Sequence, residues 1–121
     1  MAQRYIRPLT LDDYDQWRGL NQGYADSYHL ALSKDGLQTT WSWLIDDGHV
    51  CAGLGAEQHG QLVGLAHFRG MPSPLRGQMI GFLDDLLVVP DHRSGGAASA
   101  LVKALQAKAQ GWGIVRWITR D

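Results

Sequence analysis

An apolar run, a proline and a loop of small residues precede a helical pattern in the second half of the chain. Leucine and valine dominate positions 83–89, Pro90 ends the run, and Arg93 follows. The loop then continues with small residues only, namely Ser94, Gly95, Gly96, Ala97 and Ala98. A strand, a short loop and a helix in this order direct several free backbone N–H groups at one point, where the helix adds about half a positive charge. This arrangement is typical of a phosphate or pyrophosphate site.

The side chains of the loop suit the same ligand. Arg93 offers a planar cationic fork for phosphate oxygens, and a diphosphate would meet the most obstruction from larger side chains at Gly96 and Ala98. An ordinary capped connection between a strand and a helix explains the loop alone equally well. The strand, Pro90, Arg93 and the helix in register favour the phosphate interpretation. The loop lacks the Gly-Lys-Ser/Thr ending of a P-loop, and its glycines do not follow the first strand of a Rossmann unit.

Composition predicts one globular domain over residues 1–121. Hydrophobic residues make up 45% of the chain and charged residues 19%, as in ordinary folded proteins. The net charge of −1 gives no electrostatic reason to expect a nucleic acid or a membrane surface as partner. The one cysteine, Cys51, cannot form an internal disulfide, and the polar N-terminus does not resemble a signal peptide. We therefore expect a reducing, cytoplasmic setting.

Hydrophobic periodicity predicts an α/β protein with a mixed sheet in the order β-α-α-β-β-β-α-β. The predicted strands cover 5–9, 49–57, 61–68, 78–89 and 114–119, and the predicted helices follow Thr10 as far as Tyr28 and cover 37–45 and 97–110. The strands 49–57 and 61–68 form a hairpin at His59–Gly60, and 69–77 is a loop. Since one helix connects 78–89 to 114–119, these two strands are predicted to be parallel.

Several segments resemble the GCN5-related N-acetyltransferase (GNAT) superfamily. The spacing Arg93-x-x-Gly96-x-Ala98 is similar to its acyl-CoA pyrophosphate signature, and 85–93 resembles its fourth strand. The segments 6–13, 60–68 and 115–120 are similar to its opening unit, third strand and fifth strand. Residues 39–41, 83–86 and 117–119 look most like the histone/polyamine acetyltransferase-like branch. The resemblance implies the acyl-CoA N-acyltransferase fold.

The chain also departs from this family. The usual loop has glycines where Ser94 and Ala98 stand, and the family fold normally continues with a helix and two strands after the point reached at Asp121. We expect a fold that lacks these elements. An alternative function is therefore a truncated, non-catalytic CoA-binding or dimerisation module. A homodimer would cover the apolar edge that strand 114–119 would otherwise expose.

The resemblance implies direct transfer of an acetyl group from acetyl-CoA, as co-substrate, to a primary amine. The acceptor would be a small polyamine-like molecule or a lysine side chain. Leu86, Leu87 and Val88 would pair with the pantetheine amides, and an N–H near Leu87 or Val88 could polarise the thioester carbonyl. The pyrophosphate would be bound by the following residues: Arg93, Ser94, Gly95, Gly96, Ala97, Ala98 and Ser99.

Two adjacent carboxylates are candidates for the base that removes a proton from the amine. Strand alternation brings only one of Asp84 and Asp85 into a cleft, and we favour Asp85. An equally good interpretation is that both carboxylates satisfy sheet-edge or loop groups. His67 is another candidate, although a lone histidine in a strand is more often structural. By family analogy, Trp41 would contact the substrate. The five histidines are dispersed without metal-ligand spacing, so no metal site is expected.

Overall fold

In the computed structural model, which describes residues 4–92, 95–108 and 115–117, five strands form one sheet in chain order. The strands are β1 (Arg4–Pro8), β2 (Cys51–Gln58), β3 (Gln61–Ser73), β4 (Gln78–Val88) and β5 (Val115–Trp117), and the helices are α1 (Tyr14–Ser27), α2 (Lys34–Ile45) and α3 (Ala97–Lys108). The strands from β1 to β4 run antiparallel, whereas β4 and β5 run parallel. A parallel pair needs a crossover, and α3 provides it. The predicted mixed α/β order is confirmed.

Apolar side chains cover both faces of the sheet. On the α3 side, the buried cluster comprises Leu54, Ala56, Val63, Ala66, Phe68, Leu83, Leu101 and Leu105. On the side of α1 and α2, Trp17, Leu65 and Leu87 are buried, with partly buried neighbours that include Tyr14, Tyr24 and Trp41. Because side chains of a strand alternate between the two faces, the side chain of Leu87 packs against α1 and that of its neighbour Leu86 against α3.

The two hairpin turns differ in how well the sequence predicted them. His59 and Gly60 both have positive φ, 56° and 74°, as a two-residue type I′ turn requires. The prediction of a loop over 69–77 was wrong, because β3 continues to Ser73. β2 begins at Cys51, opposite Arg69, so it has no residues opposite the rest of β3. The last residues of β3 therefore pair with β4 alone, and Pro72 lies at an edge where a missing N–H is tolerated.

An ion-pair cluster fixes the start of α1 against the sheet. The Arg7 guanidinium donates to both carboxylate oxygens of Asp13, at 2.7 and 2.9 Å, and to Glu57 at 2.9 Å. Asp13 ends a 3₁₀ turn before α1 and is buried. Its hydrogen bonds from Arg7 hold the pKa of this carboxyl below its usual value, despite the opposing effect of burial. β1, β2 and α1 are thereby held in one arrangement.

Several boundaries differ from the predicted ones. α2 begins at Lys34 rather than at position 37, because the Ser33 hydroxyl accepts the Gly36 N–H at 2.9 Å and caps the helix. β2 begins two residues later than predicted, and β4 ends at Val88. The predicted ends of the last helix, at 110, and of the last strand, at 114 and 119, lie outside the described residues.

Candidate active site

A cavity of about 760 Å³ lies between α1 and the carboxyl end of β4. We call it the cofactor cleft; it is lined by Gly19, Leu20, Gly23, Tyr24, Ser27, Tyr28, Leu86, Leu87, Val88, Val89, Pro90 and Ala98. A Cβ added at Gly19 or Gly23 would meet no atom within 4 Å. The two glycines therefore leave room on the face of α1 that lies opposite β4.

The backbone of β4 is directed into the space beside β5. Among the described residues, β5 pairs with β4 only at Gly81–Leu83. Past β4, the Val89 N–H donates to the carbonyl of Val63 at 2.9 Å, which precedes Gly64 on β3. Backbone groups alternate in direction along an antiparallel strand. The N–H and C=O of Leu87 therefore also point to β3, whereas those of Leu86 and Val88 point to the β5 side. An extended amide-containing ligand could add to the sheet on that side.

The N-terminus of α3 meets the same cleft. Gly96 has a φ of +84°, a conformation that glycine adopts readily, and its carbonyl accepts the Ala100 N–H at 3.0 Å. Between Gly96 and Ala100 lie Ala97, Ala98 and Ser99, which form the first turn of α3. The N–H groups of a first helical turn have no carbonyl partner within the helix. Of these residues, Ala97 is buried and Ala98 lines the cleft. Free N–H groups at the start of a helix are suited to an anion, and the pyrophosphate site at this loop stays a prediction.

The loop before α3 is held from behind by β1. The Arg4 guanidinium donates to the Gly95 carbonyl at 2.5 Å, and a side chain at Gly95 would come within 3.1 Å of this guanidinium. Arg93 and Ser94, which the sequence predicts to bind the pyrophosphate, lie outside the described residues.

A second cavity, of about 390 Å³, lies beside the first. We call it the acceptor cavity; it is lined by Asn21, Tyr24, Ala25, Leu30, Ala31, Leu32, Ser33, Gly36, Leu37, Thr40, His67 and Asp85. Tyr24 lines both cavities. The consecutive residues Asp85 and Leu86 line one cavity each. The two cavities therefore meet at one point of β4, with a carboxylate on the acceptor side.

Asp85 ends a chain of hydrogen bonds that begins in the core. The Trp17 Nε1–H donates to His67 Nε2 at 2.9 Å, and His67 Nδ1 lies 2.9 Å from Asp85 Oδ2. An indole nitrogen can only donate, so Nε2 of His67 is the acceptor and the ring proton is on Nδ1. This proton is donated to Asp85. The lone pair of His67 Nε2 is thus occupied by the Trp17 N–H. Asp85 is therefore the group of these three that can accept a proton.

The side chains of this hydrogen-bonded series become more exposed from Trp17 to Asp85. Trp17 is fully buried, the His67 side chain is 8% exposed and the Asp85 side chain is 43% exposed. The hydrogen bond from His67 holds one carboxylate oxygen of Asp85, and this carboxylate is partly exposed where it lines the acceptor cavity. This geometry supports the choice of Asp85 over His67 as the group that receives a proton.

Asp84 lies on the other side of the strand. Its carboxylate accepts from Arg69 Nε at 3.2 and 3.1 Å, in the region where the pairing of β3 with β4 shifts by one residue between His67 and Phe68. Such a bulge turns neighbouring side chains in different directions. Asp84 is therefore part of a surface ion pair, which agrees with the expectation that only one of the two carboxylates enters a cleft.

Trp41 packs in the aromatic cluster behind the acceptor cavity. Its ring centroid lies 5.0 Å from that of Trp17 and 5.4 Å from that of Tyr14. The preceding residue, Thr40, lines the cavity instead. Sequence reasoning missed Tyr24 as a wall of both cavities. The spacing of Gly19 and Gly23, one turn apart on an amphipathic helix, is the signal that could have indicated an open helix face.

Other chemistries find little support in the part of the chain that the structure describes. No group of three or more His, Cys, Asp or Glu side chains is placed to hold a metal ion there. Burial raises the pKa of the Cys51 thiol, and the nearby Asp84 carboxylate adds to this effect, so Cys51 is a poor nucleophile. Within the same residues, no helix has the length and apolar character that crossing a membrane requires.

Comparisons with known proteins identify the family. The family model described as "Acetyltransferase (GNAT) family" matches residues 14–121. A ribosomal-protein-alanine N-acetyltransferase from Brucella melitensis biovar Abortus 2308 is 30% identical, with a TM-score of 0.75 over 95% of this chain and 79% of that one. The chain belongs to the GNAT acetyltransferase family, and its fold is the acyl-CoA N-acyltransferase fold.

More distant structures share this fold. The aminoglycoside N-acetyltransferase AAC(6')-Iy, solved in complex with CoA, gives a TM-score of 0.84 at 21% identity over 99% of this chain and 79% of that one. An integron cassette protein from the mobile metagenome of Cole Harbour Salt Marsh gives 0.86 at 19% identity, over 94% and 76% of the respective chains. A comparison with curated proteins found no match.

Proposed function

We propose that this protein transfers an acetyl group from acetyl-CoA to a primary amine, which is held in the acceptor cavity with its nitrogen at Asp85. The observation that carries the proposal is the junction of the two cavities. Asp85 and Leu86 are consecutive on β4, and each lines one of the cavities. A proton acceptor and the backbone edge that would hold a thioester are thus adjacent.

The residues of the cofactor cleft fit acetyl-CoA. Leu86 and Val88 would pair with the pantetheine amides through the backbone groups that point away from β3, and Leu87 would contribute its side chain to the wall. A backbone N–H near Leu87 or Val88 is the candidate for polarising the thioester carbonyl. The N–H groups at the start of α3 would bind the pyrophosphate, together with Arg93 and Ser94. The CoA complex of AAC(6')-Iy, a protein of the same fold, supports this assignment.

Asp85 is the proposed catalytic base. When bound, acetyl-CoA supplies the acetyl carbon: a C–N bond forms, the C–S bond breaks, and the sulfur leaves with the electron pair and takes up the second proton that the nitrogen loses. A primary ammonium must first lose a proton to become nucleophilic, and Asp85 would accept it, directly or through water. His67 is a positioning residue, since its Nδ1–H holds one oxygen of Asp85 while Trp17 fixes the ring from the other side.

The acceptor is proposed to be a primary amine, with a small polyamine-like molecule or a lysine side chain as the two classes that the sequence favours. The relatives named above act on a ribosomal-protein alanine and on aminoglycosides, which are different amines on one fold. We place the reaction in the cytoplasm, since the one cysteine of the chain is free.

A thiol-release assay with acetyl-CoA and a panel of primary amines tests the proposal. Asp85→Asn keeps the shape of the side chain but cannot accept the proton, so kcat should fall about 10²- to 10⁴-fold. Acetyl-CoA affinity should stay within about twofold, because Asp85 lines the other cavity. Asp84→Asn is the matched control and should retain wild-type kcat. Equal activity of the two variants would contradict the role of Asp85.

The same assay, together with a calorimetric titration with acetyl-CoA, distinguishes the alternative function. A chain that binds acetyl-CoA but acetylates no amine of the panel would be a non-catalytic CoA-binding module. Failure of a folded sample to bind acetyl-CoA would contradict both the enzymatic and the CoA-binding function.

A further inference from the structure

The acceptor cavity contains a single carboxylate among the described residues that line it. This carboxylate belongs to Asp85. The remaining polar lining is uncharged: Asn21, Tyr24, Ser33, Thr40 and, through its hydrogen bond from Trp17, His67. One ammonium group can therefore be paired with a full negative charge in this cavity. A second ammonium would meet only neutral hydrogen-bonding groups.

The rest of the cavity wall is apolar. It is formed by Gly36 and by the side chains of Ala25, Leu30, Ala31, Leu32 and Leu37. Leu30 and Leu32 belong to the segment between α1 and α2, and they are 37% and 39% exposed, although leucine side chains gain stability when they are covered. An apolar acceptor body would cover both leucines. A polar or charged body would lose water there without gaining a partner.

From this wall and this single charge, we infer that the acceptor is a small monoamine, with one primary ammonium on an apolar chain or ring. The inference rests on the proposed function: it keeps the primary amine and sets aside the polyamine-like acceptor that the sequence favours. The ammonium pairs with Asp85, and the apolar part lies against Leu30 and Leu32. Polyamines are disfavoured, because their second ammonium would be brought against leucines instead of a carboxylate.

Two amines of nearly equal size provide the test. n-Hexylamine and 1,5-diaminopentane have the same chain of seven non-hydrogen atoms, and they differ in whether the far end is a methyl or an ammonium group. With the wild-type protein at neutral pH, kcat/KM for n-hexylamine should exceed that for 1,5-diaminopentane by about tenfold or more. The preference should appear chiefly in KM, because both amines present the same reacting nitrogen to Asp85.

A charge placed on the wall should change this preference. Leu32→Asp supplies a second carboxylate at a partly exposed position, so the ratio should move at least about tenfold toward 1,5-diaminopentane. Leu75→Asp is the matched control, since Leu75 is 93% exposed in the turn between β3 and β4, and it should leave the ratio unchanged.

The outcomes separate the two proposals. A wild-type protein that acetylates 1,5-diaminopentane as well as n-hexylamine, or better, would overturn the monoamine assignment and leave the acetyltransferase proposal intact. A Leu32→Asp variant that remains active with an unchanged ratio would overturn the placement of the apolar body. Acetylation of neither amine, nor of any other primary amine, would refute the proposed function itself.

Discussion

Replacing Gly23 by leucine should stabilise the protein and weaken acetyl-CoA binding at the same time. Gly23 lies in α1 on the face that lines the cofactor cleft, where an added Cβ would meet no atom within 4 Å. The folded protein can therefore accept a larger side chain without strain. A ligand in the cleft, however, would have to share the space with it.

The two effects can be estimated separately. Glycine in a helix interior costs roughly 0.8–1 kcal/mol relative to a good helix former, so Gly23→Leu should add about 0.5–1 kcal/mol to the free energy of unfolding. For a chain of this size that raises Tm by about 2–4 °C. The leucine side chain would project into a cleft of about 760 Å³, between α1 and the edge of β4. We expect acetyl-CoA affinity to fall more than about tenfold, which corresponds to at least ~1.4 kcal/mol.

Thermal denaturation and calorimetric titration with acetyl-CoA measure the two effects on the same sample. Gly23→Ala should show the gain in stability with little loss of affinity, because a single methyl group occupies little of the cleft. Gln22→Leu places the same side chain at the preceding, exposed position of α1 and should leave affinity unchanged. If Gly23→Leu raises Tm but binds acetyl-CoA as tightly as the wild type, acetyl-CoA does not bind between α1 and β4.

Three further predictions concern the residues that hold the site in place. Trp17→Phe leaves the buried His67 Nε2 without its donor, which should cost about 2–3 kcal/mol in urea denaturation and lower kcat more than it raises KM. Asp13→Asn should lower the free energy of unfolding in urea by about 2–3 kcal/mol at pH 7. Because Arg7 holds the pKa of Asp13 down, the difference between wild type and variant should shrink as pH falls below about 4. Arg4→Met removes the donor behind the loop before α3 and should weaken acetyl-CoA binding a few-fold in calorimetry, with little change in KM for the amine.

Local sequence signals predicted the strand, loop and helix that lie at the carboxyl end of β4. The strand, Pro90 and the helix after Gly96 are adjacent in sequence, so their hydrogen-bonding limits and conformations act on neighbouring residues. The order of strands and helices followed from the same local patterns. The extent of β3 did not, because Gly70 and Pro72 are typical of a loop. Only the register shows that β2 begins opposite Arg69 and leaves this part of β3 at an edge.

The acceptor side depends on contacts between distant residues. His67 bonds to Trp17, 50 positions away, and to Asp85, 18 positions away. Neither contact follows from periodicity, because both require the register of β3 against β4 and the packing of α1 on the sheet. The bulge beside His67 also decides which of the two adjacent carboxylates faces the cavity. From alternation alone, Asp85 remained a choice between two faces.

The most direct test of acetyl-CoA binding is a calorimetric titration of the folded 121-residue chain. We predict saturable binding with one site per chain, since α1, β4 and the start of α3 together line one cofactor cleft. A folded sample that shows no saturable binding would contradict this prediction, because the backbone edge of β4 and the loop before α3 would then have only a structural role.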